Sequence, residues 1–138
     1  GVEKNIPYPG MKEALLRLRD AGKVLCVATS KPEPFARAIA DRFGLAECFD
    51  FVGGASLDDT RTKKAAVIEY VLASVGSPKP EQVLMVGDRR HDVEGAAAFG
   101  IDCVGVLYGY GSREELTAAG ACFLAEQPAD IADYVLGK

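Results

Sequence analysis

Five short apolar runs punctuate this chain, and three of them end on glycine. They are "KVLCVA" (23–28), "FDFVGG" (49–54), "QVLMVG" (82–87), "DCVGVLYG" (102–109) and "ACFLAE" (121–126). Several are continuously apolar rather than alternating, which suits strands covered on both faces. Between them lie segments of helical period: 32–44, 62–76, 92–100, 112–120 and 128–137, with 11–22 ahead of the first run. Phe35, Ile39 and Phe43, four apart, predict the buried face of the first of these. Ser112 and Glu115 predict a reciprocal capping box at the start of 112–120. Strand and helix alternating over short connections predicts an α/β fold: a doubly wound, mainly parallel, Rossmann-like sheet. The 138 residues are read as one domain, 1–138.

Composition narrows the class of partner. Net charge is −4 with no basic block, which argues against a nucleic acid polymer, whose phosphates are bound by clustered Lys and Arg. A small phosphorylated ligand needs only one or two well-placed cations. No run approaches the ~18 unbroken apolar residues of a membrane span, so no membrane partner is expected. The four cysteines, Cys26, Cys48, Cys103 and Cys122, form no CxxC pair. Each sits among apolar neighbours and is expected to be a buried thiol in a reducing cytoplasm, rather than a zinc ligand or half of a disulfide.

In a doubly wound sheet, ligands bind beyond the carboxyl ends of the strands. The first apolar run is followed by Thr29, Ser30 and Lys31, and the third by Gly87, Asp88, Arg89, Arg90, His91 and Asp92. Lys63 and Lys64 open the helix of 62–76, where positive charge opposes the helix dipole and so invites a compensating role. Each group has an ordinary structural reading as a cap, a first-turn charge or a solvated face. Together they place hydroxyls, an ammonium group and two carboxylates along one edge of one sheet. That set suits phosphoryl transfer. Carboxylates are hard ligands for Mg²⁺, a lysine neutralises phosphoryl charge, and a hydroxyl with backbone N–H groups holds a phosphate oxygen.

"VLCVATSKP", "RTKKAAVIEYVL" and "VLMVGDRRHDVEGAAAFGIDCVGVLYGYGSREEL" resemble, in order, the second, third and fourth motifs of the haloacid dehalogenase superfamily. The resemblance is nearest to phosphoglycolate phosphatase-like and 5′-nucleotidase-like members and covers nearly the whole chain. It implies a Mg²⁺-dependent phosphomonoesterase acting on a small substrate. It makes Thr29, with Ser30 beside it, the phosphoryl-binding hydroxyl. Lys64 becomes the motif lysine, with Lys63 as fallback. Asp88 becomes a magnesium ligand, and Asp92 a ligand or an anchor for a metal-bound water or the lysine. His91 is not one of the family's defining positions.

The family's first motif is a buried strand ending in Asp-x-Asp, whose first aspartate forms an aspartyl-phosphate. No such pair stands in these 138 residues. "FDFVGG" has Val52 in place of the second carboxylate, and "LDDT" (57–60) lacks the apolar strand; Asp50 and the 57–60 acids are read as structural or loop residues. "NIPYPGMKEALLRLRDAG" resembles the segment that follows a helical cap domain. The resemblance therefore implies the C-terminal part of a longer enzyme, inactive by itself. It also implies a gap between the strands ending at Thr29 and Gly87. Unpaired buried backbone is costly, so either those strands close on each other or another segment fills the slot, strand addition from a second chain being one such route. A non-catalytic phosphate- and metal-binding module is the alternative.

Overall fold

The computed structural model describes residues 9–137. Along the chain run α1 (Met11–Asp20), β1 (Cys26–Pro32), α2 (Glu33–Arg42), β2 (Phe51–Ala55), α3 (Lys64–Ser74), β3 (Leu84–Gly87), α4 (Arg90–Ala97), β4 (Asp102–Val106), α5 (Arg113–Ala119), β5 (Phe123–Ala125) and α6 (Pro128–Leu136). Every strand pair is parallel, as continuous apolar strands joined through helices require. The segment "NIPYPG" that resembles a post-cap linker lies largely outside the described residues.

The strands form two half-sheets, β1–β2 and β3–β4–β5. Among the described residues β1 and β3 neither pair with each other nor flank a third strand, so the two strands do not close on each other and no described segment of this chain fills the slot. Helices hold the halves in place. α3 packs on β1 and β2 and also against α4, while α4 packs on β3 and β4. α1, which precedes β1, packs on α6, which follows β5. That contact joins Ala14, Leu18 and Ala132 and carries an Arg17–Asp133 ion pair of 2.8 Å. The unpaired edges are wetter than their neighbours. Val86 of β3 is 39% exposed, whereas Val104, its partner on the central strand of the same half-sheet, is 0%.

The core lies around β4. Val93, Ala96, Ile101, Cys103 and Leu116 form one buried group, and Val104, Val106, Ala125 and Ile131 another. Two side-chain expectations differ. In α2 the buried face is Ala36 and Ala40, not the Phe35 stripe; Phe35 is exposed, with the Lys31 ammonium 5.5 Å from its ring centre. The reason is close packing: small residues let the helix lie on β1 and β2, where phenylalanines would hold it off. Among the cysteines, Cys48 and Cys103 are buried and Cys26 half-buried, but Cys122 is exposed beside the Tyr134 hydroxyl at 3.5 Å. Burial pushes the Cys103 thiol up to about 12. Ellman's reagent is therefore expected to modify Cys122 in the folded protein and Cys48 and Cys103 only on unfolding. Rapid modification of Cys103 in native buffer would contradict this packing.

Candidate phosphate and metal site

The strand ends meet along one edge. β1 pairs regularly with β2 through Ala28–Gly53, then shifts, so that Pro32 pairs with Ala55. Thr29, Ser30 and Lys31 stand against the single Gly54, so β1 carries two extra residues and bulges out of the ladder, as strands do where they re-aim side chains. The strand thus runs through Thr29 and Ser30 rather than stopping before them. Thr29 Oγ1 accepts the Lys31 N–H at 3.2 Å, and neither hydroxyl caps α2. Thr29 is half-buried and Ser30 exposed.

Lys64 opens α3 and reaches across the gap. Its Nζ donates to the Ala28 carbonyl on β1 at 2.9 Å and meets Asp92 Oδ1 at 2.7 Å. Asp92 Oδ2 accepts the N–H groups of Asp88 at 3.1 Å and Arg89 at 3.3 Å. One chain of contacts therefore ties the carboxyl end of β1 to that of β3. Asp92 is 7% exposed, a buried charge that the ammonium and two N–H donors stabilise. It also lies in the first turn of α4, where negative charge favours the dipole. Gly87 makes this approach possible, because a Cβ there would fall on the Asp92 side chain. Lys63, the fallback, is exposed at the helix cap.

Asp88 is held differently. Its Oδ2 accepts the Tyr110 N–H at 2.9 Å, and its carbonyl accepts the Gly111 N–H at 2.7 Å. The loop after β4 thus wraps the Asp88 turn. A Cβ on Gly111 would strike the Asp88 carbonyl oxygen, which is backbone and has little freedom to yield. Gly111→Ala is expected to destabilise the fold by about 1–3 kcal/mol in urea denaturation, the range for forced overpacking. A change below about 0.5 kcal/mol would mean that the loop moves freely away from Asp88.

The donor set fits a Mg²⁺-type cation through Asp88. Such an ion keeps several waters and takes one or two carboxylates, and Asp88 is half-buried at the mouth, engaged by one backbone donor through Oδ2. Asp92 has both oxygens engaged by Lys64 and backbone, which fits an anchor better than a ligand. Among the described residues no three His, Cys, Asp or Glu side chains gather as a metal-holding group.

Thr29 and Ser30 sit one and two residues beyond the Ala28 carbonyl that Lys64 holds, and the Thr29 hydroxyl bonds to the Lys31 N–H within its own bulge. His91 is exposed. Asp50 lies just before β2, at its amino end, away from the site. It accepts the Leu25 N–H and the Arg19 guanidinium, which hold its carboxyl below the usual range. Asp58 accepts from Thr60 within its own loop.

Sequence reasoning missed Glu115. Ser112 Oγ accepts the Glu115 N–H at 3.0 Å, so half of the capping box forms. The Glu115 carboxylate instead leaves its own helix. Its Oε2 accepts Arg89 Nε and the Arg90 N–H, each at 2.9 Å. The Arg89 contact, then the Arg90 N–H, holds this carboxyl below the ordinary glutamate range. The Ser-x-x-Glu spacing hid that signal, because the local cap accounts for Glu115 by itself.

Residues 1–100 match the family profile described as haloacid dehalogenase-like hydrolase. The chain belongs to this family. Over 114 residues it is 49% identical to the tyrosine-protein kinase PtkA of Mycobacterium tuberculosis, covering 83% of this chain and 39% of that protein. It is 45% identical to a 5′-nucleotidase of Pseudomonas aeruginosa (86% and 53% covered) and 35% identical to a phosphoglycolate phosphatase of Pseudomonas putida (84% and 42%). A crystal structure of a predicted phosphatase from Clostridium acetobutylicum superposes with a TM-score of 0.90 at 39% identity, covering 95% of this chain and 60% of that one. The chain thus spans about half the length, or less, of these curated relatives. The α/β haloacid dehalogenase fold is established by these matches. No helix of the described residues is long and apolar enough to cross a membrane.

Proposed function

We propose that this chain is the phosphate- and metal-holding part of a phosphomonoesterase acting on a small substrate such as a nucleoside monophosphate or phosphoglycolate. The observation that carries the reading is the Lys64–Asp92–Asp88 relay across the ends of β1 and β3. Lys64 presents positive charge at the edge, held in place by Ala28 and Asp92. Thr29, on the bulge next to Ala28, offers a hydroxyl for a phosphoryl oxygen, with Ser30 beside it. Asp88 is the carboxylate for Mg²⁺, which would supply charge neutralisation on the phosphoryl group. Asp92 keeps Lys64 oriented rather than touching substrate.

The nucleophile is the part these residues do not provide. A strand between β1 and β3 would satisfy both open edges and bring its terminal carboxylates to Lys64. The relay joins the Ala28 carbonyl on β1 to the Asp88 N–H after β3 through contacts of 2.9, 2.7 and 3.1 Å. That strand comes from further sequence of the same protein or from a second chain. Turnover of p-nitrophenyl phosphate and nucleoside monophosphates with Mg²⁺, with and without the upstream coding sequence, tests the assignment.

A second reading is phosphoryl transfer to protein tyrosine, favoured by the 49% identity to PtkA. Incorporation of the ATP γ-phosphate into a tyrosine peptide separates the two. A third reading, a non-catalytic phosphate- and metal-binding module, is left if the version with its upstream sequence neither hydrolyses nor transfers.

A further inference from the structure

The family resemblance gives Glu115 no role, yet its carboxylate bonds directly to the turn that carries Asp88. The Asp88–Arg90 turn is gripped from two places on the segment after β4. Tyr110 and Gly111 donate backbone N–H groups to Asp88 itself, and Glu115, four residues on, accepts from Arg89 and Arg90. Ser112, capping α5, fixes the Glu115 backbone between these two grips. Loop and helix start therefore move as one clasp. Glu115 gives up the reciprocal half of its own cap to make the outer contact, which a purely local role for this side chain would not require.

We propose that Glu115 is a positioning residue for Asp88, setting the direction of its carboxylate through Arg89 and the Arg90 N–H. The proposal rests on the reading of Asp88 as the metal carboxylate, and adds what sets that carboxylate's direction. Partners that orient metal ligands commonly change metal affinity about 10- to 100-fold when removed. Glu115 acts one step further away, through the turn, so a smaller effect is expected.

Charge alone and positioning predict opposite signs in one variant. Removing Glu115 takes a negative charge from beside a cation site, and removing Arg89 takes a positive one. Were charge the whole effect, Arg89→Ala would tighten cation binding. Positioning weakens it in both variants. Mn²⁺ binding, read by electron paramagnetic resonance on the 138-residue chain, is the measurement. Expected are a loss of about five- to tenfold in Glu115→Ala, a smaller loss in Glu115→Gln, which keeps an acceptor for the Arg90 N–H, and a loss in Arg89→Ala. Unchanged affinity in Glu115→Ala, or tighter binding in Arg89→Ala, overturns the proposal.

Asp88→Asn and amide hydrogen exchange separate failure of this idea from failure of the metal reading. If the wild-type chain binds no Mn²⁺, or Asp88→Asn binds it as well as wild type, the metal reading falls. The clasp is then judged by exchange at Gly111 and Arg90. Faster exchange at both in Glu115→Ala upholds it, and unchanged exchange overturns it.

Discussion

The 138 residues by themselves are expected to hydrolyse p-nitrophenyl phosphate in Mg²⁺ at no more than the background rate. Protein carrying the upstream coding sequence should be faster by roughly 10³-fold or more, the scale on which loss of a nucleophile is felt. The expectation follows from what stands at the edge. Lys64 has a partner on each side, Asp88 accepts the Tyr110 N–H, and Thr29 carries a hydroxyl. None of these attacks phosphorus. Electrostatic groups stabilise charge that develops in the transition state, but they cannot accept the phosphoryl group. Robust turnover by this chain alone, abolished by Asp88→Asn, would overturn the division of labour. An inactive longer protein that also transfers no phosphate to tyrosine would leave the binding-module reading.

The second large effect concerns stability. Asp92→Ala removes the counter-charge of Lys64, whose side chain is 16% exposed, and leaves the Asp88 and Arg89 N–H groups without their acceptor. Breaking one partner of such a pair is expensive because the other charge stays behind. Lys64 retains the Ala28 carbonyl and some solvent, which lowers the cost. A loss of about 3 kcal/mol is expected, or roughly 10 °C in Tm. Asp92→Asn, which keeps an acceptor for the N–H groups, should lose less. Adding Lys64→Met to Asp92→Asn should cost less than the two single losses together, because the stranded ammonium is gone. Additive losses, or an Asp92→Ala variant within about 0.5 kcal/mol of wild type, would mean that the relay does not hold the half-sheets together.

Each strand run and helix segment read from the sequence has its counterpart, displaced by a few residues at its ends. The reason is local: continuous apolar runs and helical periods carry their own signal. Which face of α2 is buried was not local. Phe35, Ile39 and Phe43 make a plausible stripe, but the depth available against β1 and β2 selected Ala36 and Ala40. Exposure of Cys122 likewise depends on α6, whose Tyr134 is distant in sequence and adjacent in space. At the site, Lys64 and Asp92 were legible as chemistry, and the family resemblance offered anchoring of the lysine as one option for Asp92; which option holds was not legible. Pairing depends on α3 and α4 lying side by side. Glu115 was hidden altogether, since its long-range partner competes with a local cap of normal spacing.

Residue order alone determined the α/β class, the parallel strands, and an edge where hydroxyls follow the first apolar run, a lysine opens a helix and two aspartates follow the third run. It also determined that no Asp-x-Asp closes an apolar strand within these 138 residues. Only the tertiary structure decided that β1 and β3 stay apart, that Lys64 spans them, and that Asp92 is committed to Lys64 while Asp88 keeps an open position. Strand identity is written in short-range patterning, which survives without neighbours. The different settings of two similar carboxylates follow from which donors come within about 3 Å, and packing alone brings Tyr110 to Asp88 and Lys64 to Asp92, 22 and 28 residues away in sequence.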